Sequence, residues 1–228
     1  MEDQTQSTLW QLSNFNILES MEMKDLKRLS QLVHDRECPK DQVLYLPHDK
    51  SDKVYFLKSG KVKITTMSKD GKEMIHNIMM PGQIFGELSL VSGENERRET
   101  MAEAIEKVVI CSIDASSFKD YLTSFPELNF RITKLIGFRL KKIQRRVSDM
   151  WFKSAPQRIR DFIKDMANEF GKDVGYEKVI RMKLTHQDIA SMTATARQTV
   201  TSTLSKLEQD GIITYDRNRI LVRSMDKL

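Results

Sequence analysis

Apolar residues recur along this chain in three rhythms, and each predicts a different structure. From Met21 to Val33, the residues Met23, Leu26, Leu29, Leu32 and Val33 fall at helical spacing. From about Cys38 to Ile113 the pattern changes to short apolar runs: Val43–Leu46, Val54–Leu57, Val62–Thr66, Met74–Met79 and Val108–Ile113. Ser59-Gly60, Asp70-Gly71, Pro81-Gly82 and Gly93 punctuate them. Asp-Gly between two such runs is a strong hairpin signal, because the turn needs positive φ angles that these residues tolerate. The segment therefore predicts antiparallel β-structure closed into a barrel or roll. Residues 1–20 are polar with scattered apolar positions and read as a loose or short helical lead.

The third rhythm begins at Pro126, which suits the first turn of a helix. Ile136, Leu140, Ile143, Val147 and Met150 are spaced 4, 3, 4 and 3 residues apart, a heptad seam flanked by Arg139, Lys141, Lys142, Arg145 and Arg146. Such a seam packs on the chain's own β-domain or pairs with a second copy; a parallel homodimer is the expectation. Ser154-Ala155-Pro156 reads as a hinge. The expected domains are residues 1–125, a sensor roll with N-terminal helices; 126–152, a dimer helix; and 153–228, a DNA-binding domain.

Residues 184–211 predict two short helices joined by a turn at Thr193-Ala194. Thr185 with Asp188, and Thr195 with Gln198, have capping-box spacing. Val200, Leu204 and Leu207 line one face of the second helix, and Arg197, Gln198, Thr201, Ser202 and Ser205 the other. Gly211 is placed to end that helix at C′. An apolar stripe opposite a polar face of this kind suits the major groove. Ile212, Ile213 and Tyr215, then Asp216 to Arg219, then Ile220 to Val222, form a hairpin that reads as a wing. Arg217 and Arg219 at its tip are placed to meet phosphates.

Charge sharpens this division. Residues 1–125 hold 16 Lys/Arg against 20 Asp/Glu, residues 126–150 hold 7 against 2, and residues 151–228 hold 14 against 10. The front half is acidic and the back half can approach a polyanion. Cys38 and Cys111 form no CxxC pair, which fits a reducing cytoplasm. No run of about 18 apolar residues is present, so no membrane partner is expected. His34, His48, His76 and His186 are scattered, without the clustered ligands of a metal-binding barrel enzyme. With no nucleophile–base pair, Walker loop or paired carboxylates, no enzyme activity is expected.

A β-roll, a long dimer helix and a winged helix-turn-helix, in that order, resemble the cAMP receptor protein / fumarate-and-nitrate regulator (Crp/Fnr) family of bacterial transcription factors. The resemblance spans nearly the whole chain. It is most specific in Pro81-Gly82-Gln83-Ile84-Phe85-Gly86-Glu87-Leu88-Ser89 and in the stretch from Leu184 to Ile213. It implies an α+β fold and a homodimer on palindromic promoter DNA, its two recognition helices about 34 Å apart. It also implies RNA polymerase as a partner and a small-molecule effector in the roll.

By the same resemblance, Gly86, Glu87, Leu88 and Ser89 match the segment that meets a nucleotide's ribose and phosphate. Arg98 matches the phosphate arginine, and Ile143 and Gln144 the helix positions facing the base. Glu99 follows Arg98 where the family has Ser or Thr, and a carboxylate there repels a phosphate. The reading is of an unidentified effector or none, with cyclic-nucleotide activation as the alternative; Glu87 also reads as a structural carboxylate tying loops together. No cysteine precedes Cys38, which removes the iron–sulfur centre of oxygen-sensing relatives, and no cofactor is assigned. On the DNA side, Arg197 matches the guanine-reading arginine, Gln198 replaces a glutamate, and Ser202 replaces a basic reader. Gln198 also reads as a helix cap.

Overall fold

The computed structural model describes residues 12–228, with Glu94 and Arg217 excepted. The chain divides into two compact units, one reaching to Lys141 and the other spanning Lys142–Leu228.

The described part of the first unit includes a 3-10 turn, Asn16–Leu18, and helix α1 (Met23–Leu32). Leu26 and Leu29 of α1 are buried, while Met23 and Leu32 are exposed, so the packed stripe is narrower than the apolar spacing suggests. Eight strands follow: β1 (His34–Cys38), β2 (Val43–Tyr45), β3 (Lys53–Ser59), β4 (Val62–Met67), β5 (Glu73–Met79), β6 (Ile84–Phe85), β7 (Met101–Ala104) and β8 (Val108–Asp114). They pair antiparallel in two four-stranded sheets, ordered β1-β8-β3-β6 and β2-β7-β4-β5. Each of the five apolar runs becomes a strand. The Asp70-Gly71 signal becomes the β4–β5 hairpin, with Met67 opposite Glu73 and Gly71 at φ +75°.

The two sheets close over a shared interior that includes Tyr45, Tyr55, Leu57, Val62, Met79, Phe85 and Ile110. A second apolar layer lies outside the first sheet. There Val54, Phe56, Cys111 and Ile113 meet α1 and helix α2 (Ala115–Thr123), with Phe118, Tyr121 and Leu122 buried. β3 is thus covered on both faces, which is why its sequence is a continuous apolar run instead of an alternation.

Helix α3 runs from Pro126 to Phe152. Near its start, Leu128 and Ile132 are buried in the layer outside the first sheet, with Ile136 packed partly against it. Further along, Leu140, Ile143, Val147 and Met150 are 54%, 56%, 48% and 44% exposed.

The second unit takes in residues 142–152 of α3 and helix α4 (Ala155–Phe170). It continues with β9 (Lys172–Val174), β10 (Glu177–Ile180), α5 (His186–Thr193), α6 (Arg197–Gln209), β11 (Ile213–Asp216) and β12 (Arg219–Val222). The sheet order is β11-β12-β10-β9. Helix α3 ends at Phe152 and α4 begins at Ala155, with Ser154 extended and Pro156 in the first turn of α4.

Cations of α3, and Lys153 just after it, face carboxylates of α4. Lys142 meets Glu169 at 2.8 Å, Arg145 meets Asp165 at 3.2 Å, and Lys153 meets Asp161 at 2.6 Å. Burial lowers the pKa of Arg146 on the same stretch, against the opposing pull of Glu169 and Asp165. Of the cations on residues 126–150, Lys142 and Arg145 thus have carboxylate partners on α4, in exposed pairs.

Candidate effector pocket and nucleic-acid interface

Gly86, Glu87, Ser89 and Arg98 converge beside the aromatic interior of the roll. Gly86 adopts φ +73°, and a β-carbon there would come within 2.8 Å of the Lys53 carbonyl oxygen and 3.1 Å of Arg98 Nη1. Glycine is needed for both the left-handed backbone and the close approach. Ser89 Oγ donates to the Gly86 carbonyl at 2.8 Å and lies 3.3 Å from that of Lys53, so its hydroxyl proton is engaged in the loop itself. Leu88 points outward, 59% exposed, and takes no part in the pocket assigned to it from the family pattern.

Arg98 is buried. Its Nη2 donates to the Lys53 carbonyl at 2.7 Å, and its guanidinium carbon lies 4.1 Å from the ring centre of Tyr45 and 5.6 Å from that of Tyr55. Tyr55 stacks on Phe85 with ring centres 4.9 Å apart. Burial raises the pKa of Tyr45 and Tyr55, and the nearby Arg98 offsets part of each shift. The cation that would neutralise a phosphate is held by a carbonyl and a π-face. Glu99 is exposed in the bend that precedes β7, while Thr100 is hydrogen-bonded to Tyr45. A hydroxyl does face the interior, two residues after Arg98 and not one.

Glu87 is also buried, and its carboxylate meets Arg139 of α3 at 2.5 Å; Arg139 Nη2 donates to the Ile84 carbonyl at 2.6 Å. The pair ties the turn after β6 to α3. Ile143 and Gln144 are exposed on α3, in the second unit. Tyr45, Tyr55, Phe85, Thr100 and Arg139 were not singled out for this pocket from sequence. Their aromatic and hydroxyl side chains resemble ordinary strand residues, and Arg139 looks like one more flanking charge.

In the second unit, α5 is closed by a capping box. Asp188 N–H donates to Thr185 Oγ1 at 3.1 Å, and Thr185 N–H donates to Asp188 Oδ2 at 2.8 Å. The second box does not form. Helix α6 starts at Arg197 with Ala196 at its N-cap and no side-chain cap bond, and Thr195 Oγ1 instead lies 2.9 Å from Thr193 Oγ1. The helix-starting role expected of Thr195 and the capping role considered for Gln198 are both overturned: the chain enters α6 one residue later than the Thr-x-x-Gln spacing implies.

Arg197, Gln198, Thr201, Ser202, Ser205 and Lys206 are exposed, while Val200, Thr203, Leu204 and Leu207 are buried. Thr201 Oγ1 donates to the Arg197 carbonyl at 3.1 Å and pairs with His186 Nδ1 at 2.7 Å; Ser202 Oγ donates to the Thr199 carbonyl at 3.1 Å. Both hydroxyl protons are therefore used locally, leaving acceptor capacity. Gly211 closes α6 at φ +67°, with Ile212 N–H donating to the Leu207 carbonyl. On the wing, Arg219 is paired with Asp216 at 2.7 Å, and Arg217 lies outside the described residues.

A family model described as "Cyclic nucleotide-binding domain" matches residues 35–125, and one described as "Crp-like helix-turn-helix domain" matches residues 157–228. The CRP-like cAMP-activated global transcriptional regulator of Mycobacterium tuberculosis is 25% identical over 217 residues, covering 95% of this chain and 96% of that protein. This chain belongs to the Crp/Fnr family of transcription regulators. Another Crp/Fnr relative, the Global nitrogen regulator of Synechocystis, is 25% identical over 185 residues, 81% of this chain and 82% of its own length. Among solved structures, a CooA mutant from Carboxydothermus hydrogenoformans superposes with a TM-score of 0.77 at 24% identity, covering 92% of this chain and 91% of that one. The c-di-GMP responsive global regulator CLP of Xanthomonas campestris gives 0.75 at 20% identity, covering 89% and 100%. These superpositions establish the Crp/Fnr fold, a nucleotide-binding-like roll followed by a helix-turn-helix.

Proposed function

We propose that this Crp/Fnr regulator acts as a homodimer on palindromic promoter sites in the cytoplasm, in concert with RNA polymerase, and that it has no catalytic activity. The observation that carries the reading is the pairing of two exposed faces: the polar face of α6 headed by Arg197 and Gln198, and the Leu140–Ile143–Val147–Met150 seam of α3. The first suits base edges, and the second suits a second copy of the chain. Among the described residues, no helix is long and apolar enough to cross a membrane. Selection of bound sequences from random DNA by the purified protein, followed by a sizing measurement of the complex, tests both faces. Inverted half-sites and two chains per duplex are expected; a single half-site bound by one chain overturns the dimer.

For the roll, the favoured reading is an effector that is not a cyclic nucleotide, or no effector. Arg98 already has a carbonyl and two rings as partners, and Glu87 is committed to Arg139. The cAMP-activated relative and the convergence of Gly86, Glu87 and Arg98 favour the cyclic-nucleotide alternative. Titration calorimetry with cAMP and cGMP separates them. No heat at micromolar protein is expected, and micromolar affinity for either nucleotide reverses the preference.

A further inference from the structure

Arg158 lies in the first turn of α4, and its guanidinium has three acceptors. Nε donates to the Thr193 carbonyl at 3.0 Å, Nη2 to the Ala194 carbonyl at 2.9 Å, and Nη1 to the Lys153 carbonyl at 2.9 Å. The first two carbonyls form the end of α5 and the turn that leads into α6. The third belongs to the residue that follows α3.

That turn is unusual in its residue. Ala194 sits at φ 51°, ψ 50°, a left-handed conformation that a β-carbon disfavours and that glycine occupies freely. Backbone bonds from Ala194 and Thr195 to the Ala190 carbonyl close the helix beneath it. Those bonds leave the carbonyls of Thr193 and Ala194 at the negative end of α5, with no helical donor. A guanidinium fixes two neighbouring carbonyls because its donors are planar and rigidly spaced; an ammonium on a flexible stem does not. The direction in which α6 leaves the turn decides where Arg197 and Gln198 point.

We propose that Arg158 is a positioning residue for DNA recognition: it holds the left-handed turn at Ala194 and ties it to the end of the long helix at Lys153. The orientation of the recognition helix is then linked to the backbone at the hinge, through one side chain that touches no DNA. This rests on the helix-turn-helix reading above.

The test uses the full chain, a duplex selected from random DNA by the wild-type protein, and a scrambled duplex of equal length at the same salt. Arg158→Ala is expected to lose about tenfold or more in affinity for the selected duplex. Its affinity for the scrambled duplex should stay within about twofold, because phosphate contacts are insensitive to base register. Arg158→Lys should recover only part of the loss. Adding Ala194→Gly to Arg158→Ala should restore most of it, since glycine holds the turn unaided. A merely structural role would lower both affinities together and show no glycine rescue.

The proposal is overturned if Arg158→Ala keeps the selected-to-scrambled ratio within about twofold, or if the double variant is no better than Arg158→Ala. Should Arg158→Ala fail to fold, Arg158→Lys decides by itself, and an unchanged ratio for it is equally fatal. Failure of the wild-type protein to select any duplex would instead refute the helix-turn-helix reading and take this proposal with it.

Discussion

Arg139, on the long helix, is paired with Glu87, in the 3-10 turn after β6, although 52 positions separate them in the chain. The Glu87 carboxylate is almost wholly buried, with its side chain 8% exposed, and that of Arg139 is 25% exposed. Removing one member of a buried pair strands the other charge without a partner, at about 3–5 kcal/mol for full burial. Partial exposure of Arg139 lowers the expected cost of Glu87→Gln to about 2–3 kcal/mol. Replacing both, as in Glu87→Gln with Arg139→Met, should recover more than half of that loss. Urea melts of the single and double variants measure the coupling, and additive losses would mean that the pair contributes no interaction energy.

The exposed seam makes a separate demand. Leu140 and Val147 are two turns apart on one face of α3, and both stand in solvent in the single chain. A double change, Leu140→Glu with Val147→Glu, should leave the circular dichroism of the chain unaltered, since neither side chain supports its own core. It should also convert a dimer to a monomer in light scattering, because each of two facing helices would then place carboxylates against its partner. A persistent dimer would move the interface to some other surface.

Cys111 lies between β1 and β3 in the layer outside the first sheet, fully buried, and burial pushes its thiol up to about 12 from an ordinary value of 9.0. The folded state therefore keeps a proton that the unfolded state releases above pH 9. Unfolding then binds fewer protons than folding retains, so the contribution to stability is intact below pH 9 and is lost as pH rises towards 12. Between pH 9 and 10 the wild-type protein should lose up to about 1.4 kcal/mol more than Cys111→Ala, whose thiol is absent. Equal slopes for the two proteins would show that the thiol ionises freely in the folded state.

Much of this architecture could be read from residue spacing, because burial imposes a period. Val200, Leu204 and Leu207 repeat at one face of α6 and are buried, and the five apolar runs of the roll are all strands. β1 could not be read in this way. In His34–Cys38 only Cys38 is buried, so no alternation marks it. Helix α4 follows directly on the break at Ser154-Ala155-Pro156, and its signature is the helical spacing of Ile159, Ile163, Met166 and Ala167.

The candidate sites were legible as residue types and not as partnerships. Gly86, Glu87, Ser89 and Arg98 do come together, but nothing local in the sequence says that Arg98 will spend its charge on Tyr45 and the Lys53 carbonyl. Thr195 and Gln198 show the converse error. Their capping spacing is real, but the left-handed turn at Ala194 delays the helix, and Thr195 bonds to Thr193 instead.

That delay matters for the DNA face, because it frees Gln198 from any capping role and leaves it exposed one residue after Arg197, in the first turn of α6. A long planar cation at this position can meet guanine O6 and N7 with two bonds, and a neighbouring amide can pair with adenine or bridge through water. Arg197→Ala should therefore cost about 1–3 kcal/mol on the preferred duplex and flatten the preference at one base pair of each half-site. Gln198→Glu should instead shift preference towards cytosine at its own position, since a carboxylate accepts from the cytosine amino group. Binding measured across single-base variants of the selected site reads both effects. A uniform loss across all variants would assign Arg197 to the phosphate backbone, and the reading of α6 as the base-contacting helix would then have to rest on other side chains of that face.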